Sequence, residues 1–160
     1  MQSVLDKILV RIRRNGRGRA YSSKDFLDIG SRASVDHALS ALTKSGEIRR
    51  VARGIYDYPK VNPDLGGQLS PDHDSVARAI ARKNGVRIEP SGAWAANLLG
   101  LSTQVPAQIV YLTNGTSREY QVGGQKIAFQ RVGPKELVPK TAHRHRWRSW
   151  SITNSTPPPT

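Results

Sequence analysis

The sequence contains no cysteine, which excludes a disulfide framework, thiolate zinc ligands and a cysteine nucleophile. No apolar run approaches the roughly 18 residues that span a bilayer. The opening stretch MQSVLDKILVRIRR puts its basic cluster after the apolar residues, the reverse of a secretory signal. A cytoplasmic location is therefore expected. No glycine-rich loop ends in Lys-Ser/Thr, so a phosphate-cradling P-loop is not expected. None of the eight lysines has Asp or Glu two residues before it, the spacing common in metal-dependent nucleases. Ser91-Gly92 lacks the flanking glycine of a nucleophile elbow. His143 and His145 form an HxH without companions and read as chance spacing rather than a metal site. An enzyme is not expected, and neither is a cofactor or a bound metal.

The 160 residues suit one medium domain or two small ones. A hydrophobic fraction of 37% and a mean hydropathy of -0.52 describe a globular chain rather than a disordered one. Charge is the informative quantity. The net charge is +13, and a chain so basic attracts polyanions, of which nucleic acid is the commonest in a cytosol. The excess sits at the two ends. Residues 1–60 hold 13 Lys/Arg against 6 Asp/Glu, residues 61–139 hold 8 against 6, and residues 140–160 hold 4 against none.

Hydrophobic spacing predicts an α+β chain. Val4, Leu5, Ile8, Leu9 and Ile12 recur at helical intervals over residues 2–14. Asn15-Gly16 stops that helix, and Arg17-Gly18-Arg19 follows as a basic loop. Ser22, with Asp25 three residues on, opens a short second helix ended by Gly30. Ser31 caps a third, to about Lys44, with Val35, Ala38, Leu39 and Leu42 as its buried stripe. Glu47–Val51 and Ile55–Tyr58 alternate around Ala52-Arg53-Gly54 as a hairpin. Residues 62–67 read as a linker. Beyond it, 68–139 is expected to be a small mixed α/β unit. Its helices are expected from Ser70-Pro71 to about Gly85 and over Ala93–Leu99, and its strands at Val86–Ile88, Ile109–Thr113, Tyr120–Val122 and Lys126–Arg131. Residues 140–160 lack periodicity, end in prolines and read as a disordered basic tail.

Helix, short helix, tight turn, longer helix and hairpin make a winged helix-turn-helix over residues 1–60, and the third helix would enter a DNA major groove. Its solvent face is small and polar: Ala33, Asp36, His37, Ser40 and Lys44, with Arg32 and Ser34 at its start. His37 and Ser40 suit base edges or phosphates, and Lys44 a phosphate. Arg32 suits either a guanine or a phosphate. Asp36 is either a selector for a cytosine amino group or a bystander. Arg49, Arg50 and Arg53 charge the wing, and a guanidinium at its tip could enter a narrow minor groove. Tyr56 and Tyr58 are assigned to packing the wing down.

Tyr21–Lys60 resembles the winged-helix antitoxin domain of the AbiEi family, in the run S-R-x-x-V-x-x-A-L-x-x-L followed by G-x-I-x-R-x-x-R-G-x-Y. Glu89–Gly115 resembles the following stretch of shorter members. The resemblance implies a transcriptional repressor that binds double-stranded DNA upstream of its own toxin–antitoxin or phage-defence operon. It implies DNA contacts from Arg32, Ser34, His37, Arg49, Arg50 and Arg53. It also implies a nucleotidyltransferase-like toxin as partner, and a homodimer or cooperative monomers on repeated sites. The alternative is a protein-binding module that neutralises a partner, with DNA incidental. Trp94, Leu98, Leu99 and Leu101 are either core of the second unit or an exposed patch for such a partner. Ser91, Asn97 and Ser102 are expected to cap or line that element.

Overall fold

In the computed structural model, which describes residues 2–137, the chain is a mixed α+β protein of four α-helices and three small sheets. Helix α1 (Val4–Asn15) starts where Ser3 and Asp6 exchange cap hydrogen bonds, satisfying two otherwise orphaned amides. Its Ile8 and Ile12 are fully buried. Strand β1 (Ala20–Tyr21) follows, then a single 3-10 turn over Ser23–Phe26. Helix α2 (Arg32–Lys44) opens on Ser31, whose hydroxyl accepts the Ser34 amide. It buries the expected stripe Val35, Ala38, Leu39 and Leu42.

The second expected helix is thus shorter than its sequence suggests, and Gly30 does not cap it. Gly30 keeps a negative φ, but a Cβ there would sit 3.1 Å from a Val4 methyl. It is small so that the turn before α2 can lie against α1. With Tyr21, Phe26 and Ile48, the two helices close a first core.

Strands β2 (Arg49–Ala52) and β3 (Ile55–Asp57) form the expected hairpin, with a register shift between Arg50 and Ala52. Strand β1 pairs antiparallel with β3, giving the order β1-β3-β2. The expected linker has structure of its own: β4 (Val61–Asn62) pairs with β5 (Gly67–Gln68) around a turn at Pro63–Leu65.

Helix α3 (His73–Asn84) begins two residues later than Ser70-Pro71 suggests, because Asp72 accepts the Asp74 amide and is the cap. Strand β6 (Ile88–Pro90), helix α4 (Gly92–Leu98) and strands β7 (Gln108–Thr113), β8 (Arg118–Val122) and β9 (Gln125–Arg131) follow. Their sheet runs β6-β7-β9-β8, with β7 and β9 parallel and the other pairs antiparallel. Val76, Ala77 and Ile80 of α3 pack with Ile109, Tyr111, Ile127 and Phe129 of that sheet.

Ala20 and Ile55, from the N-terminal sheet, belong to this second core and not to the first. Three polar contacts fasten the same seam. Ser75 accepts the Ala20 amide at 2.8 Å, Arg82 pairs with Asp25 at 3.0 Å, and Lys83 donates to the Arg53 carbonyl at 3.1 Å. Segments 1–60 and 68–137 therefore pack as one body through α3. No helix among the described residues is long and apolar enough to cross a membrane. The tail assigned to residues 140–160, and its His143 and His145, lie outside the described residues.

Candidate functional site

Of the 13 lysines and arginines in residues 1–60, four make ion pairs: Arg11 with Asp28, Arg13 with Glu47, Arg32 with Asp36 and Arg49 with Asp57. The six carboxylates there are all engaged, since Asp6 belongs to the α1 cap and Asp25 pairs with Arg82. The Arg11 guanidinium, hydrogen-bonded through two nitrogens, holds the Asp28 carboxyl below its usual range. Nine cations remain without a carboxylate partner among the described residues, and all nine are exposed: Lys7, Arg14, Arg17, Arg19, Lys24, Lys44, Arg50, Arg53 and Lys60. These cations leave the segment with exposed positive charge that no carboxylate of the segment balances, a distribution that favours polyanions in general.

Helix α2 positions the residues singled out in the sequence. Arg32, Ser34, His37, Ser40 and Lys44 are all exposed, opposite the buried stripe. Asp36, open as selector or bystander, accepts from Arg32 Nε at 3.1 Å, which orients that guanidinium along the helix. Ser34 Oγ shares a hydrogen bond with Ser31 Oγ at 2.8 Å. Ser3, Val4 and Leu5 of the α1 start lie beside Ala33, Ser34 and His37 along a shallow groove. A ligand reaching His37 would therefore also meet α1.

The three hairpin arginines separate. Arg50 and Arg53 are exposed. Arg49, expected among the DNA contacts, is instead committed to the fold. Two of its nitrogens reach the Asp57 carboxylate at 3.1 and 2.8 Å, and a third bond goes to the Leu69 carbonyl at 3.0 Å. Asp57 is 2% exposed, and a carboxylate so enclosed needs its partner in place. Tyr56 and Tyr58 pack against the first core as expected.

The hairpin tip is not free. Gly54 has φ +72°, and a Cβ there would meet Lys83 Nζ at 2.6 Å. The positive φ is what calls for glycine here, since the flexible Lys83 end could shift to admit a Cβ. Lys83 Nζ in turn holds the Arg53 carbonyl. Arg53 lines a cleft with Lys83, Asn84, Arg118 and Tyr120. Sequence reading missed Lys83 and Arg118. No local signal in the sequence marks them, and only the fold brings them beside Arg53.

In the second unit Trp94 is buried, and its indole donates to the Tyr111 hydroxyl at 2.7 Å. Tyr111 donates to Asp74, joining α4, β7 and α3. Burial, reinforced by the Asp74 bond, pushes the Tyr111 hydroxyl well above the usual tyrosine range. Leu98, Leu99 and Leu101 do not follow Trp94 inward; they are 41%, 59% and 78% exposed. Ser91 does not cap α4 through its side chain; its hydroxyl donates to the Val110 carbonyl. Asn97 and Ser102 brace the following loop.

Residues 7–145 match the family described as Family of unknown function (DUF6088), and the chain belongs to that family. No curated protein and no solved structure matches it.

Proposed function

We propose that this protein is a cytoplasmic, sequence-specific double-stranded-DNA-binding repressor whose first sixty residues act as a winged helix-turn-helix. One observation carries the reading. Nine exposed cations in residues 1–60 lack carboxylate partners among the described residues, while every carboxylate of that segment is already engaged. The element order and the sheet order β1-β3-β2 support the winged form. The small polar face of α2 supports its use as the recognition helix. In this reading His37 and Ser40 meet base edges, Lys44 and Arg50 meet phosphates, and Arg53 acts from the wing tip. Arg32 reads a guanine or a phosphate in the orientation Asp36 gives it. Arg49 is left to hold the wing.

The resemblance to AbiEi-type antitoxins extends the proposal to autoregulation of a toxin–antitoxin or phage-defence operon. We read the protein as a binder without an enzymatic activity of its own. Incubation with DNA, RNA or nucleotides plus magnesium should give no turnover. A gel-shift titration on the gene's own upstream region should show preference over random DNA, and equal affinity for both would remove sequence specificity. With about six phosphates contacted, log K should fall against log salt with a slope near -5.

A second reading, a protein-binding module that neutralises a partner toxin, has its own observation. From Ser91 to Ser117 the sequence has no charged residue, and Leu98, Leu99, Leu101 and Val105 are exposed along it. An uncharged apolar surface on so basic a protein suits a protein partner. Co-purification with the neighbouring gene's product after nuclease treatment would support this reading. The mass of the complex would tell a toxin from a second copy of the chain.

A further inference from the structure

The cleft beneath the hairpin tip has a composition that the readings above use only through Arg53. It encloses about 350 Å³ between the hairpin, the end of α3 and strand β8. Its rim carries Arg53, Lys83 and Arg118, with Asn84 and Tyr120 between them and Ile80 in its floor. No carboxylate among the described residues lines it. Arg53 and Arg118 are exposed and make no ion pair among the described residues, and Lys83 spends one of its three donors on the Arg53 carbonyl. Asn84 donates to the Tyr120 hydroxyl at 3.2 Å, which fixes both polar groups at the mouth. Donors thus converge from three elements with almost nothing to accept them. A tetrahedral anion supplies that lack, and arginine forks match phosphate oxygens in pairs. The cleft also continues past Asn84, Arg118 and Tyr120 into a second hollow of about 290 Å³ that reaches Thr116, so an extended backbone has a track across the mouth.

We propose that this cleft is a phosphate-binding site, filled by a backbone phosphate of DNA lying beyond the wing. This proposal rests on the DNA-binding reading and extends it, because it recruits the second unit to the interface through Arg118 and Lys83. The wing tip and β8 then hold one phosphate between two guanidiniums, and the duplex runs over the seam between the two units instead of stopping at the hairpin.

Arg118 is the residue to change, since its side chain is exposed and makes no hydrogen bond or ion pair among the described residues. Labelled operator-length duplex is titrated at several salt concentrations with the wild type, Arg118→Ala and Arg118→Glu, each checked for an unchanged thermal melt. Arg118→Ala should weaken binding about fivefold and make the salt slope shallower by about 0.9, and Arg118→Glu should weaken it further. If the wild type binds DNA and both variants match it in affinity and slope, the cleft holds no phosphate, while the DNA-binding reading stands. In parallel, inorganic pyrophosphate is titrated into isotope-labelled full-length protein and the amide signals of Lys83, Asn84 and Arg118 are followed. Shifts that vanish in Arg118→Glu, with no DNA binding by the wild type, would keep the phosphate site, assign it to a free phosphate compound, and overturn the DNA reading. Neither DNA binding nor pyrophosphate shifts would overturn both.

Discussion

The first sixty residues and the stretch Ser91–Ser117 are opposites on one small protein. The first carries 13 cations and the second no charge of either sign. The difference teaches that the excess charge is a surface with an address. In the N-terminal segment the carboxylates are used where they brace the fold, at helix caps, in the hairpin and at the α3 seam, so the cations left over face water. In the uncharged stretch solubility is carried by amides and hydroxyls, while leucines stand exposed around α4. In the proposed reading a polyanion is drawn to the cations of the first segment. A protein surface can approach the uncharged stretch without meeting charge repulsion.

The contrast breaks most easily at the pair that belongs to the basic segment yet does not serve its surface. Asp57→Ala leaves Arg49 without its carboxylate, and urea denaturation should show a loss of about 3 kcal/mol. That is the low end for breaking an enclosed pair, because Arg49 keeps 27% of its side chain in water. A loss below about 1 kcal/mol would return Arg49 to the set of free cations.

Next in size is the network under the uncharged stretch. Tyr111→Phe strips the Trp94 indole and Asp74 of their partner, and should cost about 1–3 kcal/mol. It also carries a pH signature. The Tyr111 hydroxyl is raised in the folded state, so its stabilisation is complete below about pH 10 and is lost as pH climbs beyond. The fall in melting temperature above that pH should be smaller in Tyr111→Phe. Equal alkaline slopes would mean that Tyr111 does not control it.

The hairpin tip comes third: if the protein binds DNA as proposed, Arg53→Ala should weaken that binding by about 1–3 kcal/mol with no change in urea stability. Smaller still, Lys44→Ala should lower the salt slope by about 1 at every sequence tested. The smallest effect sharpens the other side. Leu99→Lys should change stability by less than about 0.5 kcal/mol and leave DNA binding unaltered, while weakening any complex made through the uncharged face. A large drop in DNA affinity would join the two faces into one.

Much of this layout could be read from spacing. The stripe Val35, Ala38, Leu39 and Leu42 and the cap Ser31 are local, and helical period and cap chemistry report them. Strand β1 is two residues long and carries no period, so only its pairing with Tyr56 and Asp57 reveals it. The parallel pairing of β7 with β9 joins residues with another strand between them in sequence, a choice no local pattern encodes. Arg49 was legible in principle. Counting back across the hairpin sets it opposite Asp57, and facing opposite charges are a cross-strand signal. Arg118 was not, because its neighbour Arg53 at the cleft lies 65 positions away in sequence and only the tertiary fold brings the two together.

The bond from Lys83 to the Arg53 carbonyl, with Gly54 pressed against the same ammonium, has a kinetic and entropic meaning. A hairpin tip that samples many shapes surrenders about 1–2 kcal/mol per residue when a ligand seizes it. Here the folding of α3 has already selected the shape. In the proposed reading the tip meets DNA preorganised, so little of the encounter energy is diverted into ordering it.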